Sequence, residues 1–170
     1  HRTPPDPSWL REWDTLLGAR LGTMFGAGGA TSLVGDASFI VDVRNDWQIA
    51  PAWRQMWTRP DSQGLIAGGA LWSAAFSFDV AKANLVQPGD RAALRFAQPL
   101  RVARGGIDLM PPVAHDYASG RTDFGRRTYN LAPTGRELVV EASYALSLFG
   151  GELIANSWWR QGPGHIAAIP

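Results

Sequence analysis

The chain has 170 residues, 16 Lys and Arg against 15 Asp and Glu, and a formal net charge of +1, so one domain is expected and no bulk field draws it to nucleic acid or an anionic surface. Its lack of cysteine excludes a disulfide scaffold, thiolate metal sites and cysteine catalysis. No apolar run reaches the roughly 18 residues a membrane helix needs, which leaves a β-barrel as the only membrane-spanning form open to it.

Residues 1–30 read as a lead. It begins at His1, not Met, as a mature fragment or a piece of something longer would. After the Pro-rich HRTPPDPS stretch, Asp6 and Pro7 suit the start of a short helix. Trp9, Trp13, Leu16 and Leu17 recur at helical spacing on one face. The cluster Gly26, Gly28, Gly29 has no Lys-Ser/Thr after it and is read as a hairpin turn, not a phosphate loop.

From residue 31 onward the pattern changes to a period of two. Ala37, Phe39, Val41 and Val43 alternate with Asp36, Ser38, Asp42 and Arg44, interrupted at Ile40. Phe76, Phe78 and Val80 alternate with Ser77 and Asp79, and Leu138 to Leu146 alternate with Glu137 to Ser147. Such alternation predicts strands with one apolar and one polar face. Strands are expected at 31–44, 47–58, 64–80, 90–97, 105–118, 126–132, 136–148 and 151–160. The turns between them carry Asn-Asp, Pro-Asp, Pro-Gly-Asp, Ser-Gly and Gly-Gly signals. Tight turns between successive strands predict antiparallel pairing. The expected fold is therefore all-β: an antiparallel meander over 31–170 forming a β-barrel or partial barrel, preceded by the short N-terminal helix.

The apolar face has two candidate partners, lipid or a second sheet. Charged residues make up only 18% of the chain, Trp (8) outnumbers Tyr (3), and Lys82 is the single lysine. Arg and carboxylate on facing strands form bidentate, partly buried pairs better than Lys does. Arg54, Asp79, Arg95, Glu137, Glu141 and Arg160 are therefore expected to pair across a polar lumen. In that reading, replacing Glu141 should cost more than replacing Lys82. Trp47, Trp53, Trp57 and Trp159 are expected to form an aromatic girdle on the other face.

Four blocks carry a family resemblance: Asp46-Trp47 with Trp53-Arg54 and Trp57-Thr58; Phe76 to Lys82; GDRAALRFAQPLRVARGGIDL at 89–109, the most specific; and LAPTGRELVVEASY at 131–144 running on to NSWWRQGPGH at 156–165. Over roughly Asp46 to His165 the chain resembles the C-terminal β-barrel domain of alphaproteobacterial autotransporter-type, subtilisin-like serine proteases. The resemblance implies an outer-membrane anchor and translocator. Its partners would be outer-membrane lipid, the barrel-assembly machinery and its own N-terminal passenger. Family barrels have more strands and end in an aromatic residue, whereas this chain stops at Pro170, so a partial barrel is one expectation. The alternative is a soluble periplasmic or secreted β-sandwich or barrel, an accessory or assembly subunit of a larger complex.

No catalytic motif stands out. Gly29 to Gly35 (GATSLVG) is too loose for a subtilisin nucleophile and leads into a strand, and no Gly-x-Ser-x-Gly elbow occurs. His115 beside Asp116 and Tyr117 is read as a rim or lumen histidine, and His165 as a loop residue. The chain is expected to be no enzyme, to hold no cofactor or metal and to bind no nucleic acid.

Overall fold

The computed structural model describes the backbone of residues 6–12, 15–16 and 19–20 and the whole of residues 29–166. The strands are β1 (Asp6–Glu12), β2 (Thr15–Leu16), β3 (Ala19–Arg20), β4 (Ala30–Ser38), β5 (Val41–Val43), β6 (Trp47–Pro60), β7 (Ile66–Ala83), β8 (Arg91–Leu109), β9 (Pro112–Asp116), β10 (Arg121–Phe124), β11 (Arg127–Asn130), β12 (Leu138–Leu148) and β13 (Gly151–Gln161). A 3-10 turn at Pro163–His165 follows. The fold is all-β and its ladders are antiparallel, as the alternation predicts.

One sheet dominates, in the order β1-β4-β6-β7-β8-β12-β13, with β5 also pairing β6 and β11 also pairing β8. β9 and β10 form a separate hairpin within the connection from β8 to β12. Among the described residues no ladder joins β1 to β13, so these two strands are the sheet's edges.

Two expectations fall wholly or partly outside the described residues, and one is revised. The helix expected near Trp9–Leu17 lies partly outside the described residues, Trp13 and Leu17 included; where the backbone is described, Asp6–Glu12, it is a strand beside β4. Gly26 and Gly28 of the expected glycine turn also lie outside the described residues. Farther on, the separate strands expected at 90–97 and 105–118 are replaced by one long strand, β8, which ends at Leu109. Pro99 reads as a breaker because it has no N–H to give a ladder. Here the ladder to β7 shifts register between Ala74 and Phe76, opposite residues 98–101, and again between Trp72 and Ser73, so the strand passes Pro99 as a bulge.

Pro99 does end β8's pairing on its other side. β12 runs beside β8 from Arg91 to Ala97, and β11 beside it from Gly106 to Leu109. The 131–137 segment and the 3-10 turn fill the gap. Leu131 N–H bonds the Gly105 carbonyl at 3.0 Å, Arg101 reaches the Pro133 carbonyl at 3.1 Å, and the His165 ring approaches the Leu100 carbonyl at 3.3 Å.

Register assigns the two faces. Asp36, Arg54 and Ala75 stand side by side across β4, β6 and β7, and Asp79, Arg95, Glu141 and Trp158 across β7, β8, β12 and β13. These positions share one face, because directly opposed residues of neighbouring strands point to the same side. Trp53 with Phe76, and Pro51, Phe78, Phe96, Val140 and Trp159 in one row, share the other.

Candidate functional site

The polar face is the concave one. One groove of about 670 Å³ on it is lined by residues from β4 to β13, among them Asp36, Arg54, Ser77, Arg95, Glu141 and Arg160. A flat sheet presents no groove that spans six strands. On the same face Ser32, Thr58 and Ser73 are 0–2% exposed, and Ser32 and Thr58 share a 2.7 Å hydroxyl hydrogen bond. Beside them Ala30 and Leu71 form a small dry cluster with Val102 and Ile107.

The apolar face is outward and open. Trp53 is 49% exposed, Phe78 44%, Leu94 52% and Trp159 57%. Exposed apolar patches of this breadth mark a surface that meets lipid or another protein.

The six expected pairing residues all lie on or beside the groove. Arg54 and Asp36 make a bidentate pair, 2.6 Å through Nε and 3.2 Å through Nη2. Arg95 stands 3.7 Å from Asp79, and Arg160 bonds Glu137 at 3.2 Å. Glu141 is next to Arg95 in register, yet among the described residues it forms no ion pair. Asp36 was the partner sequence reasoning left unassigned; its place in the alternating stretch 36–44 was the available signal.

Glu137 belongs to a buried knot. Its second carboxylate oxygen accepts from Gly164 N–H at 2.7 Å. Its own N–H donates to His165 Nδ1 at 2.9 Å, and the His165 carbonyl accepts from Gly135 at 2.9 Å. His165 is therefore a loop residue by position and a clamp by bonding: with Nδ1 accepting, Nε2 carries the hydrogen toward Leu100. His115, by contrast, is exposed on the β9–β10 hairpin, bonded to Thr122 at 2.8 Å.

The four expected girdle tryptophans share the apolar face but not one level. Trp47 is at the end of β6 beside the 44–46 turn, and Trp57 is ten residues farther along the strand. Trp53 and the row containing Trp159 fall between them. Trp72, directly opposite Trp57, is the aromatic that completes the upper level, and sequence reasoning missed it. A cation covers a tryptophan at each of the two end levels: Arg59 over Trp57 at 5.2 Å and Arg104 over Trp72 at 5.0 Å, with Lys82 over Trp47 at 5.8 Å at the opposite end.

The turns are held by carboxylates. Asp90 accepts from the N–H groups of Leu85, Val86 and Gln87 at 2.6, 2.9 and 3.0 Å. The Tyr144 hydroxyl, followed by those turn N–H groups, holds the Asp90 carboxyl down at about 2. At the hairpin tip, Ser119 hydroxyl and Ala118 N–H lower the Asp116 carboxyl in the same way.

No cluster of His, Cys, Asp and Glu suited to a metal occurs among the described residues. Comparison with known proteins finds no matching family model, no matching curated protein and no matching solved structure.

Proposed function

We propose that this chain forms part of the wall of an outer-membrane β-barrel, its apolar face in lipid and its polar face lining a lumen, serving as the anchor and translocator domain of an autotransporter-like serine protease. One observation carries the membrane reading: Trp53, Phe78, Leu94 and Trp159 stand half-exposed on the outer face, while Ser32, Thr58 and Ser73 are buried on the inner one beside Ala30 and Leu71.

The dimensions agree with that reading. Ten residues separate Trp47 from Trp57, about 33 Å along the strand at about 3.3 Å per residue. A strand tilted by about 40° would bring these levels about 25 Å apart along the membrane normal, the height of a barrel's apolar band. Aromatic rings with snorkelling cations are the side chains that suit both interfaces. The connections are also unequal: 44–46, 84–90 and 149–150 close one end in at most seven residues, whereas at the other, beside the short 61–65 link, 110–137 carries the β9–β10 hairpin. Barrels keep short turns on the periplasmic side and long loops outside, so the hairpin would face outward. The anchor and translocator role rests on the resemblance over Asp46 to His165. Catalysis would belong to a passenger, not to this chain.

A second reading, a soluble accessory subunit with its apolar face against another protein, is favoured by the open path between β1 and β13. Purification without detergent separates the two. A chain that needs detergent or lipid to stay monodisperse, and migrates faster on gels unheated than boiled, supports the membrane wall. A monodisperse chain in plain buffer, with no heat-dependent shift, overturns it.

A further inference from the structure

Two guanidiniums flank a pair of indoles on the apolar face, at the end of the sheet that carries the β9–β10 hairpin. Trp57 of β6 is directly opposite Trp72 of β7, and Trp72 is directly opposite Arg104 of β8. Arg59 is two residues beyond Trp57 on the same face. Arg59 lies over Trp57 at 5.2 Å and Arg104 over Trp72 at 5.0 Å. Both arginines are exposed. Among the described residues neither meets a carboxylate.

A bulge aims Arg104 at this place. The ladder from β8 to β7 sets Val102 opposite Ser73 and Arg104 opposite Trp72, which leaves Ala103 as the extra residue. Val102 packs inward on the cluster around Leu71. A regular register from Val102 would turn Arg104 inward as well; the bulge turns it out beside the indole. Asp108, farther along β8 on the same face, is already taken up by Arg126 and Thr128. The cation at the opposite end is also engaged, since Lys82 donates to the Asn45 and Ala83 carbonyls. The two free guanidiniums are therefore a feature of one end alone.

We infer that Arg59 and Arg104, seated on Trp57 and Trp72, hold the phosphate of an anionic lipid headgroup. The inference rests on the membrane-wall reading, in which this end of the sheet is the outward interface. A guanidinium lying over a ring keeps its N–H donors, and those donors match phosphate oxygens in pairs. The backbones of Arg59 and Arg104 are two strand spacings and two residues apart, about 12 Å, a span that one phosphorylated headgroup bridges. Toward the short turns the same face continues with Trp53, Phe76 and Phe78, an apolar bed for acyl chains below the charge. That bed favours a lipid over a free anion or a phosphopeptide. A net charge of +1 gives no general attraction to anions, so the attraction is local to this cluster.

The folded full chain in uncharged alkylmaltoside micelles is mixed with bisphosphorylated lipid A, or with the same lipid stripped of both phosphates. Native mass spectrometry reads what stays bound. The parent should retain the phosphorylated lipid and not the stripped one, and an equal concentration of inorganic phosphate should not displace it. R59Q/R104Q should bind about tenfold less tightly. R44Q/R121Q, which removes two charges from a turn and from the hairpin, should match the parent. Sheet circular dichroism matching the parent separates a lost site from a lost fold. Equal retention of the stripped lipid, displacement by phosphate, an unweakened R59Q/R104Q or an equally weakened R44Q/R121Q would each overturn the inference and leave the membrane-wall reading standing. A parent that is monodisperse in plain buffer, with no heat-dependent gel shift, overturns that reading and this inference with it.

Discussion

The Tyr144 hydroxyl donates a 2.5 Å hydrogen bond to the Asp90 carboxylate, tying β12 to the turn that joins β7 to β8. Asp90 is 2% exposed and collects three turn N–H groups besides. Every donor around it favours the ionised carboxylate, which is why it sits at about 2 instead of its ordinary 3.8. The unfolded chain binds this proton more readily than the folded one, so the bond stabilises the fold fully above about pH 4. That contribution fades as pH falls from 3.8 toward 2. Tyr144→Phe should move the carboxyl back toward its ordinary value and make acid unfolding begin at higher pH. Fluorescence-monitored acid titration of both proteins is the check, and coincident acid limbs would show that Asp90 gains nothing from Tyr144.

Gly105 has φ +106 and lies where an added Cβ would meet the Ala70 carbonyl oxygen at 2.1 Å. Its neighbour Gly106 would meet the Tyr129 carbonyl at 2.0 Å. Backbone cannot yield as a flexible side chain can. Gly105→Ala should therefore cost about 1–3 kcal/mol from conformation alone, plus the repulsion against β7. Urea unfolding would measure it. An unchanged midpoint would mean that β8 does not approach β7 so closely.

These glycines show what was readable in the chain and what was not. Alternation at 36–44, 73–80 and 137–147 placed strands and faces, because a period of two survives translation into sheet geometry without further information. That Arg54, Arg95 and Arg160 would meet carboxylates was expected from their strand positions, but which carboxylate each would meet, Asp36 for Arg54 above all, was not assigned. Pro99 lies in the interval left between the strands expected at 90–97 and 105–118, and only the partner strands reveal that one strand runs through it as a bulge. His165 was equally opaque, since its partners Glu137 and Leu100 come from distant segments. The levels of the tryptophans needed the register, which no single strand contains.

His165 accepts the Glu137 N–H at 2.9 Å in a buried setting. His165→Ala removes that acceptor and uncovers the unpaired stretch of β8 beyond Pro99. An orphaned buried N–H costs about 1–3 kcal/mol. His115→Ala, at an exposed hairpin position, should stay within about 0.5 kcal/mol of the parent. Thermal unfolding of the two variants side by side tests the contrast, and equal midpoints would remove the clamp role.

The geometry reverses the order expected for Glu141 and Lys82. Glu141 is exposed and has no ion-pair partner among the described residues, whereas Lys82 donates to the Asn45 and Ala83 carbonyls and covers Trp47. Lys82→Ala should cost about 1 kcal/mol, and Glu141→Ala less than about 0.5 kcal/mol. Denaturant midpoints decide it; a larger loss for Glu141 would restore the lumen-pairing role that its sequence position suggested.

Ser77 and Phe78 are adjacent in β7 and face opposite ways, Ser77 into the groove and Phe78 outward at 44% exposure. Phe78 shares its row with Pro51, Phe96, Val140 and Trp159, between the levels of Trp47 and Trp57. If lipid covers that row, Phe78→Arg puts a cation near the bilayer midplane at about 2–4 kcal/mol. In the same protein Ser77→Arg meets the wet groove beside Asp79 and should cost less than about 1 kcal/mol. If water covers the row, the exposed Phe78 is replaceable and the difference vanishes. Urea titration of both variants folded into phosphatidylcholine vesicles reads the difference directly, and equal free energies would remove lipid from that face.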